Sequence, residues 1–128
     1  MSAEFQEVLQ NLRGGRGRAV LIVEPSPDQQ ARLARLMAVH GHRAIGTASL
    51  DGALAFLEAF PVDLVLLAEE LAGATPLRVV ADIVGRRPNA RIAIMTPPPG
   101  AAETGRYSAL EYVPRHFGGD VLEALLPN

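Results

Sequence analysis

Apolar residues along this chain alternate between two spacings, and the alternation predicts a succession of strands and helices. Five short runs rich in Val, Leu and Ile are typical of strands buried on both faces of a parallel sheet. Between them, apolar residues recur every three or four positions, as on one face of a helix. The predicted strands cover residues 18–23, 43–46, 64–67, 92–95 and 110–113. This order predicts a doubly wound α/β domain of the flavodoxin-like class, with a five-stranded parallel sheet of order 2-1-3-4-5.

Turn-forming and capping residues mark the ends of the first predicted helix. Ser26 and Pro27 are typical of a helix start, and Gln29 is placed to complete a capping box with Ser26. Gly41 ends this helix. Further helices are predicted at residues 50–60, after Thr75 and Pro76, and at residues 120–126.

Residues 3–13 form a separate helical pattern ahead of the domain. Its apolar positions recur at i, i+3, i+4 and i+7: Phe5, Val8, Leu9 and Leu12. Gly14, Gly15 and Gly17 then indicate a flexible joint. We therefore divide the chain into an N-terminal helix and linker at 1–17 and a domain at 18–128. A helix this short is marginal alone in water, so its apolar face needs a partner surface, on this chain or on another.

Composition excludes several kinds of chemistry. The chain has 128 residues, about one domain, and no Cys, which excludes disulfides and thiol catalysis. All 12 cationic residues are Arg, so no lysine chemistry is available. A net charge of −2 provides no basic field for nucleic acid. Apolar runs fall short of the roughly 20 residues that span a bilayer, and the acidic start is unlike a secretion signal, so we expect a cytoplasmic protein that binds neither membrane nor nucleic acid.

Four segments of the chain resemble the receiver domains of bacterial response regulators. They are residues 20–27, 61–67, 92–96 and 109–117, which occur in the order and at the spacing of that family. The resemblance covers residues 18–126. It implies the receiver fold and a role in two-component signal transduction.

The resemblance also implies where a phosphorylation site would lie, and there the chain departs from the family. Receivers have two acidic residues after the first strand, where this chain has Glu24 and Pro25, and an aspartate at the end of the third, where it has Ala68. A carboxylate can attack phosphorus and form an acyl phosphate, whereas a methyl group cannot. Thr96 matches the family's hydroxyl residue, but Arg115 replaces its lysine.

Metal and cofactor chemistry is not expected at this site. Mg²⁺ prefers several oxygen ligands in octahedral geometry and binds poorly to a lone carboxylate. We therefore predict no metal, no cofactor and no enzymatic activity. Glu24 is interpreted either as a solvated loop residue or as the ion-pair partner of Arg115 across the degenerate site.

The region between the fourth and fifth strands also departs from the family. Three consecutive prolines cannot lie inside a helix without loss of hydrogen bonds, so the helix usual there is predicted to be shortened or missing. Tyr112 matches the family's switch aromatic, which changes rotamer on activation. We predict an interaction surface that combines this region with the N-terminal helix. Its candidate residues are Pro97, Pro98, Pro99, Tyr107, Tyr112, Phe5 and Leu9.

The sequence as a whole predicts a phosphorylation-independent pseudo-receiver. Its expected function is protein–protein interaction, as an adaptor in bacterial signal transduction, with a signalling protein or a second copy of the chain as partner. One alternative is a receiver phosphorylated at a different acidic residue, for which Glu69 is the candidate. Another is a small-molecule module on the same fold, although the loop after the first strand has no glycine to admit a phosphate.

Overall fold

The computed structural model describes residues 17–97 and 106–126. Within these ranges the chain forms one parallel sheet of order β2-β1-β3-β4-β5, which confirms the predicted fold class and strand order. The strands are β1 (Ala19–Val23), β2 (Arg43–Thr47), β3 (Leu64–Ala68), β4 (Arg91–Thr96) and β5 (Tyr112–Pro114). Every residue of β1 and β3 is buried, as expected of central strands covered on both faces.

Five helices are described around this sheet. They are α1 (Pro27–Val39), α2 (Leu50–Ala59), α3 (Glu69–Ala72), α4 (Pro76–Arg86) and α5 (Gly119–Leu125). The short helix α3 was not predicted, because four residues are too few to show helical periodicity. None of the helices in the described ranges is long and apolar enough to cross a membrane.

Two apolar clusters, one on each face of the sheet, form the core. Leu33 and Met37 of α1 lie on the first face with Leu122 of α5. On the second face, the cluster includes Leu57 of α2 and Ile83 of α4. Alternate residues of β1 and β3 point into one cluster or the other, since successive side chains of a strand point to opposite faces.

Several predictions lie outside the described residues. The N-terminal helix at 3–13, with Phe5 and Leu9, is one of them, and so are Pro98 and Pro99. The described residues between β4 and β5 are 97 and 106–111, and none of them is helical.

Candidate functional site

The predicted site residues lie at the carboxyl edge of the sheet. Glu24 follows β1, Ala68 and Thr96 end β3 and β4, and Arg115 follows β5. Parallel strands present their carboxyl ends at one edge, where doubly wound domains place their functional sites. Pro25, next to Glu24, is exposed.

Glu24 is buried, with 1% of its surface exposed, and so is not the solvated loop residue that the sequence also allowed. Its backbone N–H donates to the Thr47 carbonyl at 2.9 Å, and its own carbonyl accepts from Gln30 Nε2 at 2.6 Å. These two bonds fix the loop after β1. The carboxylate is therefore held at the base of the site.

Arg115 places its guanidinium between two carboxylates. Its NH2 atom lies 3.7 Å from Oε2 of Glu24 and also donates a hydrogen bond to Oε2 of Glu70. Only 15% of the Arg115 side chain is exposed. The structure thus brings together Glu24 and Arg115, and adds Glu70, which the sequence did not single out.

Burial raises the pKa of the Glu24 carboxyl above its ordinary value. Arg115 opposes this effect, Glu70 adds to it through like-charge repulsion, and the Ser26 N–H opposes it through a hydrogen bond. Of the effects that favour the charged form of Glu24, the Arg115 charge is the largest.

The oxygen donors at this edge do not suit Mg²⁺. Glu24 and Glu70 both contact Arg115, and neither Pro25 nor Ala68 has a side-chain oxygen. In residues 17–97 and 106–126, no group of three or more acidic, His or Cys side chains is arranged to hold a metal ion. A guanidinium occupies the position between the carboxylates, where it neutralises charge without coordinating a phosphoryl oxygen as a metal does.

Glu69, the alternative acceptor, is engaged by Arg106. Arg106 Nε donates to one carboxylate oxygen at 3.0 Å, and NH2 donates to the other at 3.2 Å. A bidentate pair of this kind holds the carboxylate in place. For Glu69 to attack a phosphoryl group, its ion pair with Arg106 would first have to break.

Arg106, Tyr107 and Tyr112 form an aromatic cluster beside the edge strand β5. The Tyr112 hydroxyl accepts a hydrogen bond from the Tyr107 N–H at 3.2 Å, and the Arg106 guanidinium lies 5.6 Å from the Tyr112 ring centroid. Tyr107 is 41% exposed. Thr96 is not part of this cluster, because its hydroxyl donates to the Val113 carbonyl at 3.3 Å.

Gln29 and Arg32 contribute to the site although sequence reasoning missed them. Both donate to the Arg115 carbonyl at 2.7 Å, and Arg32 NH1 also donates to the Phe117 carbonyl at 3.3 Å. The predicted capping box is wrong in its second half: Ser26 accepts from the Gln29 N–H, but the Gln29 side chain points to Arg115. Gln29 shares a four-residue spacing with the buried Leu33 and Met37 of α1. A glutamine in line with two buried apolar residues could have indicated that the Gln29 side chain is buried and hydrogen-bonded.

Replacing Arg32 with Met should lower the free energy of unfolding by about 2 kcal/mol, because two carbonyls would lose charge-assisted hydrogen bonds. Urea denaturation monitored by circular dichroism measures this change. The matched control is Arg35→Met, at an exposed position of the same helix. Equal losses in the two variants would mean that Arg32 does not hold the loop after β5.

A cleft of about 350 Å³ lies beside the site. Its lining is polar or charged throughout: Glu24, Ser26, Asp28, Gln29, Arg32, Arg115 and His116. Sites for small organic ligands are mostly apolar, with a few polar groups that set orientation. Apolar atoms of these side chains nevertheless make up most of the surface that faces the cleft.

Known proteins resemble this chain in structure. No protein-family model matches the sequence, and no curated protein matches it. The response regulator TrrA from Thermotoga maritima, solved with Mg²⁺ and BeF, is 25% identical with a TM-score of 0.67, over 84% of this chain and 94% of that one. TrrA in complex with the histidine kinase ThkA is 23% identical with a TM-score of 0.66, over 84% and 93% of the two chains.

A response regulator from Burkholderia pseudomallei, solved with a phosphorylated aspartic acid, calcium and citrate, is also similar. It is 21% identical with a TM-score of 0.68, over 87% of this chain and 68% of that one. These likenesses show that the chain has the fold of response-regulator receiver domains.

Proposed function

We propose that this chain is a pseudo-receiver, a member of the receiver family that works without phosphorylation and is not an enzyme. Its role is protein–protein interaction in bacterial, cytoplasmic signal transduction. One observation carries the proposal: the Arg115 guanidinium lies between Glu24 and Glu70, at the edge where β3 ends in Ala68. The receiver fold supports the signalling role.

The chemistry of phosphoryl transfer explains why this observation matters. Transfer to a carboxylate needs a nucleophile and a divalent cation that neutralises the charge developing on the phosphoryl oxygens. At the end of β3 the nucleophile is replaced by a methyl group, fully buried in Ala68. The positive charge beside the carboxylates is the guanidinium of Arg115 and not a bound cation. The site is thus a fixed ion-pair network, and its state does not depend on a donor of phosphate.

A signalling protein is the partner class that the comparisons support. TrrA, which shares the fold, was solved in complex with a histidine kinase. Tyr107, Tyr112 and the half-buried Pro97 are the predicted surface residues that lie among the described residues. Arg106 joins the two tyrosines in one cluster. Tyr and Arg side chains are enriched among the residues that dominate binding energy at interfaces. We propose this cluster as part of the partner surface.

Mass spectrometry after incubation with Mg²⁺ and acetyl phosphate tests the proposal. We expect no change in mass, while a receiver with its phosphoacceptor aspartate, treated in parallel, gains one phosphoryl group. A stoichiometric gain by this chain would overturn the proposal. The variant Glu69→Gln then serves as the control, because a gain that disappears in this variant would identify Glu69 as the acceptor.

A further inference from the structure

The chain enters the domain through a close contact with the turn between α1 and β2. A Cβ atom on Gly17 would lie 1.8 Å from the Gly41 carbonyl oxygen and 2.8 Å from the His42 Cα atom, which leaves no room for a side chain. Gly41 has a φ of 80°, a conformation that favours glycine and lets the chain reverse after α1. Gly17 and the residue that follows it therefore lie directly against this turn.

A histidine ring nitrogen at this contact accepts a backbone hydrogen bond. The N–H of Arg18, the residue before β1, donates to Nδ1 of the half-buried His42 at 3.0 Å. A backbone N–H can only donate, so this bond requires Nδ1 to carry no proton and places the ring proton on Nε2. The bond is lost when the ring is protonated, because both ring nitrogens are then donors.

Two further bonds join the same segment to β2. The Gly17 carbonyl accepts from NH2 of Arg43 at 3.1 Å, and the Arg18 carbonyl accepts from the Arg43 N–H at 2.9 Å. Both have donors that keep their protons throughout the titration of a histidine. Protonation of His42 should therefore leave β1 paired in the sheet and change only the contact made by the Arg18 N–H.

The titratable and charged groups around His42 come from α1, from β2 and from the segments before β1 and β3. They are His40, Arg43, Arg18 and Asp63. Burial is the main cause that lowers the pKa of His42, and its cationic neighbours lower that pKa further. The Asp63 carboxylate has the opposite effect. The surroundings as a whole favour the neutral ring that the hydrogen bond requires.

We propose that His42 is a pH-sensitive switch for the segment that enters β1. The neutral ring binds the Arg18 N–H and fixes Gly17 and Arg18 against the turn between α1 and β2. Protonation breaks this bond and places an N–H of the ring opposite an N–H of the backbone. The constraint on how residues 1–16 join the domain is then relaxed.

The contribution of the switch to stability has a defined sign. The pKa of His42 in the folded state lies below its ordinary value of 6.5. As pH falls, the unfolded chain therefore binds this proton before the native protein does. The stabilisation from neutral His42 is complete above pH 6.5 and is lost as pH falls through the lowered folded-state pKa.

Nuclear magnetic resonance on the full chain tests the proposal. At pH 7.5 we expect His42 as the Nε2–H tautomer and the Arg18 amide protected from hydrogen exchange. After correction for the intrinsic exchange rate, this protection should fall at least about fivefold as the ring is protonated, because the amide loses its acceptor. The midpoint of that loss should coincide with the midpoint of the ring titration.

Two variants of the turn serve as matched controls. In His42→Asn, the side-chain oxygen is placed to accept the same bond but does not titrate, so the Arg18 amide should stay protected from pH 7.5 to pH 4.5. His40→Asn removes the neighbouring ring instead. It should keep the pH dependence of the Arg18 amide, with a midpoint shifted slightly upward because a positive charge near His42 is lost.

Several results would overturn the proposal. They are an Nδ1–H tautomer at pH 7.5, protection of Arg18 that does not follow the ring titration, and equal pH dependence in His42→Asn and the unmodified chain. The amides of Leu21 and Ile22 in β1 are the internal reference, and a parallel loss of protection there would assign the change to the whole fold. None of these results depends on phosphorylation, so a failure here leaves the proposed function standing.

Discussion

Replacing Arg115 with Met should lower the free energy of unfolding by about 3 kcal/mol at pH 7, because it leaves a buried carboxylate without its opposite charge. Glu24 is 1% exposed, and its Oε2 atom has no hydrogen-bond partner in the structure, so Arg115 is the cation that compensates it. The substitution also frees Glu70. Urea denaturation with linear extrapolation measures the change.

The loss should depend on pH in a defined direction. Burial already raises the pKa of Glu24, and removal of Arg115 removes the main effect that lowers it. Between the pKa of an unfolded glutamate, about 4.3, and the raised pKa of the folded state, the native protein binds more protons than the unfolded chain. Stability contributed by Glu24 is therefore present below that window and falls as pH rises through it. The deficit of Arg115→Met should shrink toward pH 4.

A double-mutant cycle separates the charge effect from loss of packing. The double variant Glu24→Gln with Arg115→Met has no buried charge to compensate, so it should recover most of the loss of the single variant. Glu24→Gln alone should cost less than Arg115→Met, because it removes a charge that burial already disfavours. A double variant as unstable as Arg115→Met would show that Arg115 acts through its aliphatic stem instead.

Introducing an acceptor carboxylate by Ala68→Asp should destabilise the protein by about 3 kcal/mol at pH 7, since the new carboxylate would lie in the apolar cluster of the first face. Ala68 is fully buried there with Leu66 and Met95. Desolvation would raise the pKa of this aspartate, so the penalty should be small below pH 4 and grow as pH rises. Chemical denaturation at pH 4 and pH 7 gives both values.

The variant Ala68→Asn is the control for volume, because it has nearly the same shape without the charge. It should be less destabilised at pH 7 and should lack the pH dependence. Incubated with Mg²⁺ and acetyl phosphate, Ala68→Asp should still gain no phosphoryl group, as Pro25 offers no metal ligand and Arg115 occupies the two remaining carboxylates. Full stability together with a stoichiometric gain in mass would contradict the proposal that this site works without phosphorylation.

The fold was predictable from local patterns. Apolar runs predicted all five strands to within a few residues, and the alternation with helical spacing was enough for the sheet order. The short strand β5 was placed slightly early, at 110–113 instead of Tyr112–Pro114. Its edge position gives it little burial, so its pattern is weaker than that of β3.

The site was predictable only in part. The sequence placed Ala68 at the end of an apolar run, and the structure ends β3 there. The pairing of Glu24 with Arg115 was one of two interpretations of Glu24, and the two side chains lie 3.7 Å apart. The roles of Gln29, Arg32 and Glu70 were not foreseen. The sequence position of Gln29 is compatible with a capping box and also with a hydrogen bond to a distant loop. The two differ only in the direction of the Gln29 side chain, which in the structure donates to the Arg115 carbonyl.

The sequence by itself determined the α/β class and the strand order, because the spacing of apolar residues depends on local secondary structure. It also placed an alanine, Ala68, at the end of the third strand. Only the tertiary structure decided which charges meet. The Arg115 guanidinium donates a hydrogen bond to Glu70, which is 45 positions away in the sequence. The Arg115 carbonyl accepts one from Gln29, which is 86 positions away. Long polar side chains have many rotamers, and no local pattern encodes which loops the sheet will bring within their reach.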